Sequence, residues 1–363
     1  MNWTKKDLMW LWFVNIPGVG YRTRKKLLQL CTTPEQLYRE KVSALSDVLT
    51  ERMREAFETS KKEADLLAYR NRLEDMGVTF LHWESEQYPE KLTDLYDPPM
   101  GIYVKGRLPE KGQRSVAIVG ARQADYYGTE MASYFAKELA RCKVNVISGL
   151  AYGVDGAAHR GALLEKGYTL GILGSGINIC YPKEHYKLYH AMEQDGGLLS
   201  EYPLDQKPRA GLFPMRNRLI AAMSDGVLVT QARSKSGSLI TADQALELGR
   251  EIFAVPGRLE DEMSRGCNEL IRSGAKLVMG VEDLLEEWGM TVKEGGSFTL
   301  HRNNTLVNQE KMVYSVLRLE PKYIDTIIEE TGLALPVLMP LLLHLQQQGD
   351  IRQPRRNYYS VVI

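Results

Sequence analysis

The chain has 363 residues, long for one domain and suited to two or three with a well-buried core. Hydrophobic residues make up 44% and charged residues 25%, the balance of a soluble globular protein, and 46 Lys and Arg offset 46 Asp and Glu. No overall field advertises a polyanionic partner, so any nucleic-acid site has to be a local patch.

The four cysteines, Cys31, Cys142, Cys180 and Cys267, are scattered without a C-x-x-C pair. That argues against a zinc site or disulfide framework and fits a reducing cytoplasm. Residues 1 to about 105 read as a mostly helical segment. Lys5 and Lys6 before LMWLWFVNI imitate a signal peptide, but the apolar run is short, ends in PGVG and lacks a small-residue cleavage site. It is expected to be a helix of the mature protein, and no stretch approaches the ~18 apolar residues of a membrane span. Leu27, Leu28, Leu30, Leu37, Leu45 and Val48 recur at near-helical spacing, and Pro34 after Thr33 marks a helix start. IPGVGYRTRKKLL has a helix-hairpin-helix pattern whose basic helix carries Arg22, Arg24, Lys25 and Lys26. Such a turn suits DNA phosphates and equally serves as a packing device.

KGRLPEKGQR (105–114) is charged and contains Gly and Pro, so it reads as a boundary. From Ser115 to about Gly289, β-branched runs such as SVAIVG, VNVISG, TLGILG, DGVLVTQA and EIFAVPG alternate with helical stretches. The alternation predicts βαβ units in an α/β, Rossmann-like doubly wound core with a mostly parallel sheet. GMTVKEGGSFTLHRNNT (289–305) reads as a linker. Residues 306–363 follow with three helical stretches and a basic β-like end, IRQPRRNYYSVVI, the pattern of a small winged-helix unit.

Three glycine-rich strand ends are expected on one face of the sheet, where the carboxyl ends of parallel strands place ligands. In VAIVGARQADYYG, Gly120 permits the turn and Arg122 projects a planar fork suited to phosphate, although a surface arginine in a tight turn fits as well. In VISGLAYGVDGAAHRGAL, the backbone around Ser148, Gly149 and Gly153 leads to a helix N-terminus that favours an anion. Asp155 there suits a helix cap, and His159 is a candidate ligand or a buried structural residue. In ARSKSGSLITADQALELGR, Gly237 and Ser238 open a helix with Ser236 and Thr241 beside them, a phosphate cradle or a plain N-cap.

Two basic elements lie between these loops. YPKEHYKLYH mixes Lys183 and Lys187 with tyrosines, of which Tyr186 is the candidate for base stacking. FPMRNRLIAAMS opens a helix with Arg216 and Arg218, placed either to grip a nucleic-acid backbone or to join an ion-pair network. The G-x-G-x-x-G fingerprint, H-E-x-x-H and G-x-x-x-x-G-K-[ST] are all missing, and no nucleophile pattern emerges, so no catalytic residue, metal or cofactor is assigned.

In this order, VAIVGAR, VISGLAYGVDGAAHRGAL, LGSGINICYPKEH, LLSEYP, FPMRNRLIAAMSDGVLV, SGSLITADQALELGR, EIFAVPG and GCNELIRSGA resemble the DprA/Smf family of bacterial DNA-processing proteins. The resemblance covers about residues 115 to 280, and the flanks fit more loosely. It implies a dimeric recombination mediator of natural transformation that binds single-stranded DNA, including strands coated by single-strand-binding protein. It also implies help in loading the RecA recombinase, an N-terminal domain of sterile-alpha-motif type and a C-terminal winged helix. Carried onto this chain, it assigns phosphate contact to Arg122, the backbone at Ser148 and Gly149, Lys183, Arg216 and Arg218. Ala121 stands where the family usually has Ser or Thr, and Gln231 where it often has Glu.

The rival expectation is a nucleotide enzyme of the phosphoribohydrolase type, whose PGGxGTxxE loop carries a catalytic Glu. Here the corresponding SKSGSLITADQ lacks that Glu, so the expectation is a binding protein and not an enzyme.

Overall fold

The computed structural model describes residues 3–290 and 308–362. Most of the expected linker, residues 291–305, lies outside that range, as do 306, 307 and 363.

The chain opens with α1 (Lys5–Val14), α2 (Tyr21–Cys31), α3 (Pro34–Arg39), α4 (Glu51–Ser60) and α5 (Glu63–Asp75). Thr33 caps α3 with Pro34 in its first turn, as the sequence predicts, and Thr4 and Asp7 cap α1 reciprocally. Trp10, Phe13, Leu27, Leu37 and Phe57 are buried in one cluster that continues into Leu173, Ile177 and Met192, so the helices are packed onto the sheet.

The helical segment stops earlier than the boundary near residue 105 predicts. Residues 79–106 contain β1 (Thr79–His82) and β2 (Gly101–Gly106), which pair with each other and join the large sheet through an antiparallel contact. Four- and six-residue strands separated by irregular chain carry too little periodicity to be seen in isolation.

The core then runs β3 (Ser115–Val119), α6 (Tyr126–Arg141), β4 (Asn145–Ser148), α7 (Val154–Leu164), β5 (Thr169–Ile172), α8 (Tyr186–Asp195), β6 (Gly197–Ser200), α9 (Leu212–Met223) and β7 (Gly226–Val229). It continues with α10 (Gly237–Glu247), β8 (Glu251–Ala254), α11 (Arg265–Arg272), β9 (Lys276–Leu277) and α12 (Glu282–Glu287). Among the described residues these strands form one nine-stranded sheet in the order β1-β2-β6-β5-β4-β3-β7-β8-β9, parallel from β6 to β9.

Both faces of the sheet's centre are covered, which is why its central strands, β3 to β7, are buried and largely apolar. Val116 and Ile118 pack with α6 and α7 on one side, while their neighbours Ala117 and Val119 pack with α9 and α10 on the other. Chain direction across the sheet reverses between β3 and β7. That reversal opens a crevice above their carboxyl ends.

The C-terminal unit comprises α13 (Asn308–Val316), β10 (Lys322–Tyr323), α14 (Ile324–Thr331), α15 (Leu335–Gln347), β11 (Ile351–Arg355) and β12 (Tyr358–Val361). Its own core is built from Val313, Ile327, Leu338, Leu342 and Tyr359. Among the described residues no single helix is long and apolar enough to cross a membrane.

Candidate functional site

A cleft of about 980 Å³ occupies the crevice between β3 and β7, walled by the turns after β3, β4 and β7 and by the start of α9. Arg122, Arg216, Arg233 and Lys235 line it, against the single carboxylate of Asp155. A chain with no net charge thus concentrates positive charge at its one topological switch point. Among the described residues no group of three or more His, Cys, Asp or Glu is placed to hold a metal.

Arg122 is exposed on the turn after β3, and its guanidinium carbon lies 4.7 Å from the centre of the Phe213 ring. Phe213 in turn sits 5.6 Å from Tyr181, tilted by 32°. Charge and aromatic surface therefore adjoin in one wall, the combination that single-stranded nucleic acid requires. Phe213, Arg233 and Lys235 were not singled out by sequence reasoning. The run ARSKSG did carry a signal for the last two: cations four and two residues ahead of the glycine that starts α10.

The turn after β4 differs from the sequence expectation. Ser148 is fully buried and donates its hydroxyl to the Ile118 carbonyl at 2.6 Å, so it offers nothing to the cleft. The amides of Gly149 and Ala151 both donate to Asp155, at 3.1 and 3.3 Å. The anion held by the glycine turn is therefore the chain's own carboxylate.

Arg216 is 3% exposed and donates to the carbonyls of Gly149, at 2.7 Å, and of Ile172. Burial pulls its ionisation down to about 10 while the charge of Asp155 works the other way. Burial likewise raises Asp155, against Arg216 and the two amides. Arg216 thus forms the floor of the cleft, pinned by carbonyls of the turn after β4 and of β5, and is not a mobile phosphate clamp. The other glycines of this wall are steric necessities. A Cβ at Gly120 would lie 2.8 Å from the Gln231 carbonyl, and one at Gly153, where φ is +71°, would lie 2.3 Å from the Ala121 carbonyl.

Arg218 also corrects the sequence expectation. It is 9% exposed, its Nη2 lies 2.7 Å from both oxygens of Glu201, and its Nε is 3.3 Å from Asp97. Two residues beyond Arg216 on a helix, its side chain leaves on another face and meets carboxylates instead of the cleft. Arg24 is likewise turned inward, donating to the Val14 carbonyl. Arg22, Lys25 and Lys26 remain exposed on α2, outside the cleft wall.

Lys183 and Tyr186 are exposed just past the Tyr181–Pro182 step, next to the cleft but outside its lining. Gly237 is exposed, and a Cβ there would meet nothing within 4 Å. Ser236 caps α10 by accepting from the Ser238 amide at 3.4 Å, and the two hydroxyls are 2.7 Å apart. His159 is a buried structural residue, with Nδ1 2.7 Å from the Thr169 hydroxyl.

Residues 79–289 match the family model described as DNA recombination-mediator protein A, which begins where β1 begins. The chain is 44% identical over 224 residues to DNA processing protein DprA of Bacillus subtilis, covering 61% of this chain and 74% of that one. It is 37% identical over 275 residues to protein Smf of Escherichia coli, covering 74% and 73%. Its fold is similar to the X-ray structure of DNA processing protein A from Streptococcus pneumoniae, with a TM-score of 0.68, 31% identity, and coverage of 81% of this chain and 100% of that one. It is also similar to DNA processing protein A from Helicobacter pylori, a structure concerned with that protein's single-stranded DNA binding mode. There the TM-score is 0.52, the identity 32% and the coverage 58% and 95%.

Proposed function

Since the chain belongs to the DNA recombination-mediator protein A family, we propose that it binds single-stranded DNA in the cleft between β3 and β7 and works as a mediator of recombination, not as an enzyme. The observation that carries this reading is the concentration of Arg122, Arg233 and Lys235 around an open crevice with Phe213 in its wall and Tyr181 beside that ring. Exposed cations meet phosphates, the aromatic wall accepts a base, and each phosphate neutralised releases counterions.

The preference for binding over catalysis rests on Asp155. The only carboxylate among the described residues of the cleft wall is already bonded to two backbone amides, which leaves it poorly placed to activate water. Hydrolysis of adenosine monophosphate by the purified protein would overturn that part of the reading.

The proposal extends to a homodimer that receives strands coated by single-strand-binding protein and helps the RecA recombinase onto them during transformation. It assigns the C-terminal unit to the winged-helix type and the N-terminal helices to the sterile-alpha-motif type. It also sets the protein in the cytoplasm, where four free cysteines fit a reducing environment.

The deciding experiment is fluorescence anisotropy of labelled oligo-dT against a matched duplex over a salt series, with wild type and Arg122→Ala. Preference for the single strand, with weaker binding and a shallower salt slope in the variant, supports the cleft. Binding to neither nucleic acid at low salt overturns it.

A further inference from the structure

The hairpin β11–β12 ends in Arg355, Arg356 and Asn357, on the far side of the chain from the glycine turns in sequence. The Arg355 guanidinium carbon lies 3.6 Å from the centre of the Tyr358 ring, and Tyr358 packs against Tyr323 with centroids 5.0 Å apart. Tyr323 is 38% exposed, so the stack ends in an open ring. Arg355 and Arg356 are both exposed, and among the described residues neither has a side-chain hydrogen bond or ion pair. Asp325, exposed at the start of α14, is tied to neither of them.

The third helix of the unit has the opposite character. The large exposed side chains of α15 are Leu335, Val337, Met339 and Leu343, with no Lys or Arg along its length. Its His344 is engaged with Glu310. A helix without cations is poorly suited to a phosphate backbone.

The remaining arginine of the hairpin docks the unit. Arg352 lies 2.6 Å from Glu130 and 4.6 Å from the centre of the Tyr126 ring, and Ser360 donates to the Tyr126 hydroxyl at 3.1 Å. Tyr126 and Glu130 open α6, the helix that follows Gln123 and Ala124 of the cleft wall. Arg355 is three residues along the strand from this contact, about 10 Å.

We propose that the hairpin tip, and not the third helix, is a second contact for the DNA backbone. Arg355 and Arg356 neutralise phosphates and Tyr323 receives a base of a strand that leaves the β3–β7 cleft. The inference rests on the cleft reading and extends it to a separate surface.

The test uses the full chain, labelled oligo-dT of about 6 and about 20 nucleotides, and a salt series. For the double variant Arg355→Ala with Arg356→Ala, affinity for the long strand should fall about tenfold or more and its salt slope by about 1.4, roughly 0.7 per phosphate. Binding of the short strand should stay at the wild-type level. The pair Arg355→Lys with Arg356→Lys should restore the slope.

An unchanged affinity and slope on the long strand overturns the hairpin while leaving the cleft standing, provided Arg122→Ala still weakens the short strand. Equal losses on both strands also overturn it, because the arginines would then act on the cleft itself. Wild type that binds neither strand overturns cleft and hairpin together.

Discussion

The turns after β4 and β7 follow one plan, each a strand, a short turn, a glycine and a helix, yet they are opposite in use. The β4 turn is closed on itself: Asp155 holds the Gly149 and Ala151 amides, Arg216 holds the Gly149 carbonyl, and Ser148 is fully buried. The β7 turn is open, with exposed Arg233, Lys235 and Gly237 and no atom near the missing Cβ. The difference teaches that a glycine-rich turn at a helix N-terminus is an anion site only while no internal carboxylate occupies it.

The sharpest way to break this comparison is Asp155→Ala, which leaves two amides and the Arg216 charge without their counterpart in the interior. Denaturant unfolding should show a loss of about 3 kcal/mol or more. A loss below about 0.5 kcal/mol would mean that the closed turn does not depend on its carboxylate.

Acid should attack the same side of the site. Burial, with help from the charge of His185, lowers His159 from the ordinary 6.5 to about 3. The unfolded chain therefore binds a proton that the folded chain refuses. Stability from this group is complete above about pH 6.5 and falls as the pH drops toward 3, and a His159→Gln variant should show a flatter profile across that window. A parallel profile would detach the acid response from α7.

Smaller effects should separate the two turns by their glycines. Gly149→Ala would put a Cβ 2.5 Å from the Arg216 guanidinium, which is pinned and cannot step aside, so a loss of about 1–3 kcal/mol is expected in thermal unfolding. Gly237→Ala meets open space and should stay within about 0.5 kcal/mol of wild type. If its backbone lies against a phosphate, however, oligo-dT affinity should fall a few-fold. Lys235→Ala completes the series: unchanged stability, affinity down about tenfold and a salt slope lower by about 0.7.

Much of the architecture was legible from Ser115 onward, because continuous apolar strands and amphipathic helices alternate there with clear turn residues. The β1–β2 edge was not, since its partner β6 lies about a hundred residues away in sequence. Within the site, Arg122 was legible because a residue immediately after a strand and its turn glycine has little choice but to face the carboxyl end of the sheet. Phe213 was not, because nothing local shows that it would lie under Arg122, nor that Gly174 leaves room for its ring.

From Ser115 onward the sequence by itself determined the order of strands and helices and the turns at their carboxyl ends, and its overall neutrality forces any binding charge into a patch. Only the tertiary structure decided which charges reach that patch. Arg122, Arg216 and Arg218 are the same side chain near the same cleft, and they end respectively exposed, pinned to the carbonyls of Gly149 and Ile172, and paired with Glu201. Whether a guanidinium faces solvent or the interior depends on the partners available in its direction. Those partners come from strands and loops that are distant in the chain and adjacent only once the sheet has formed.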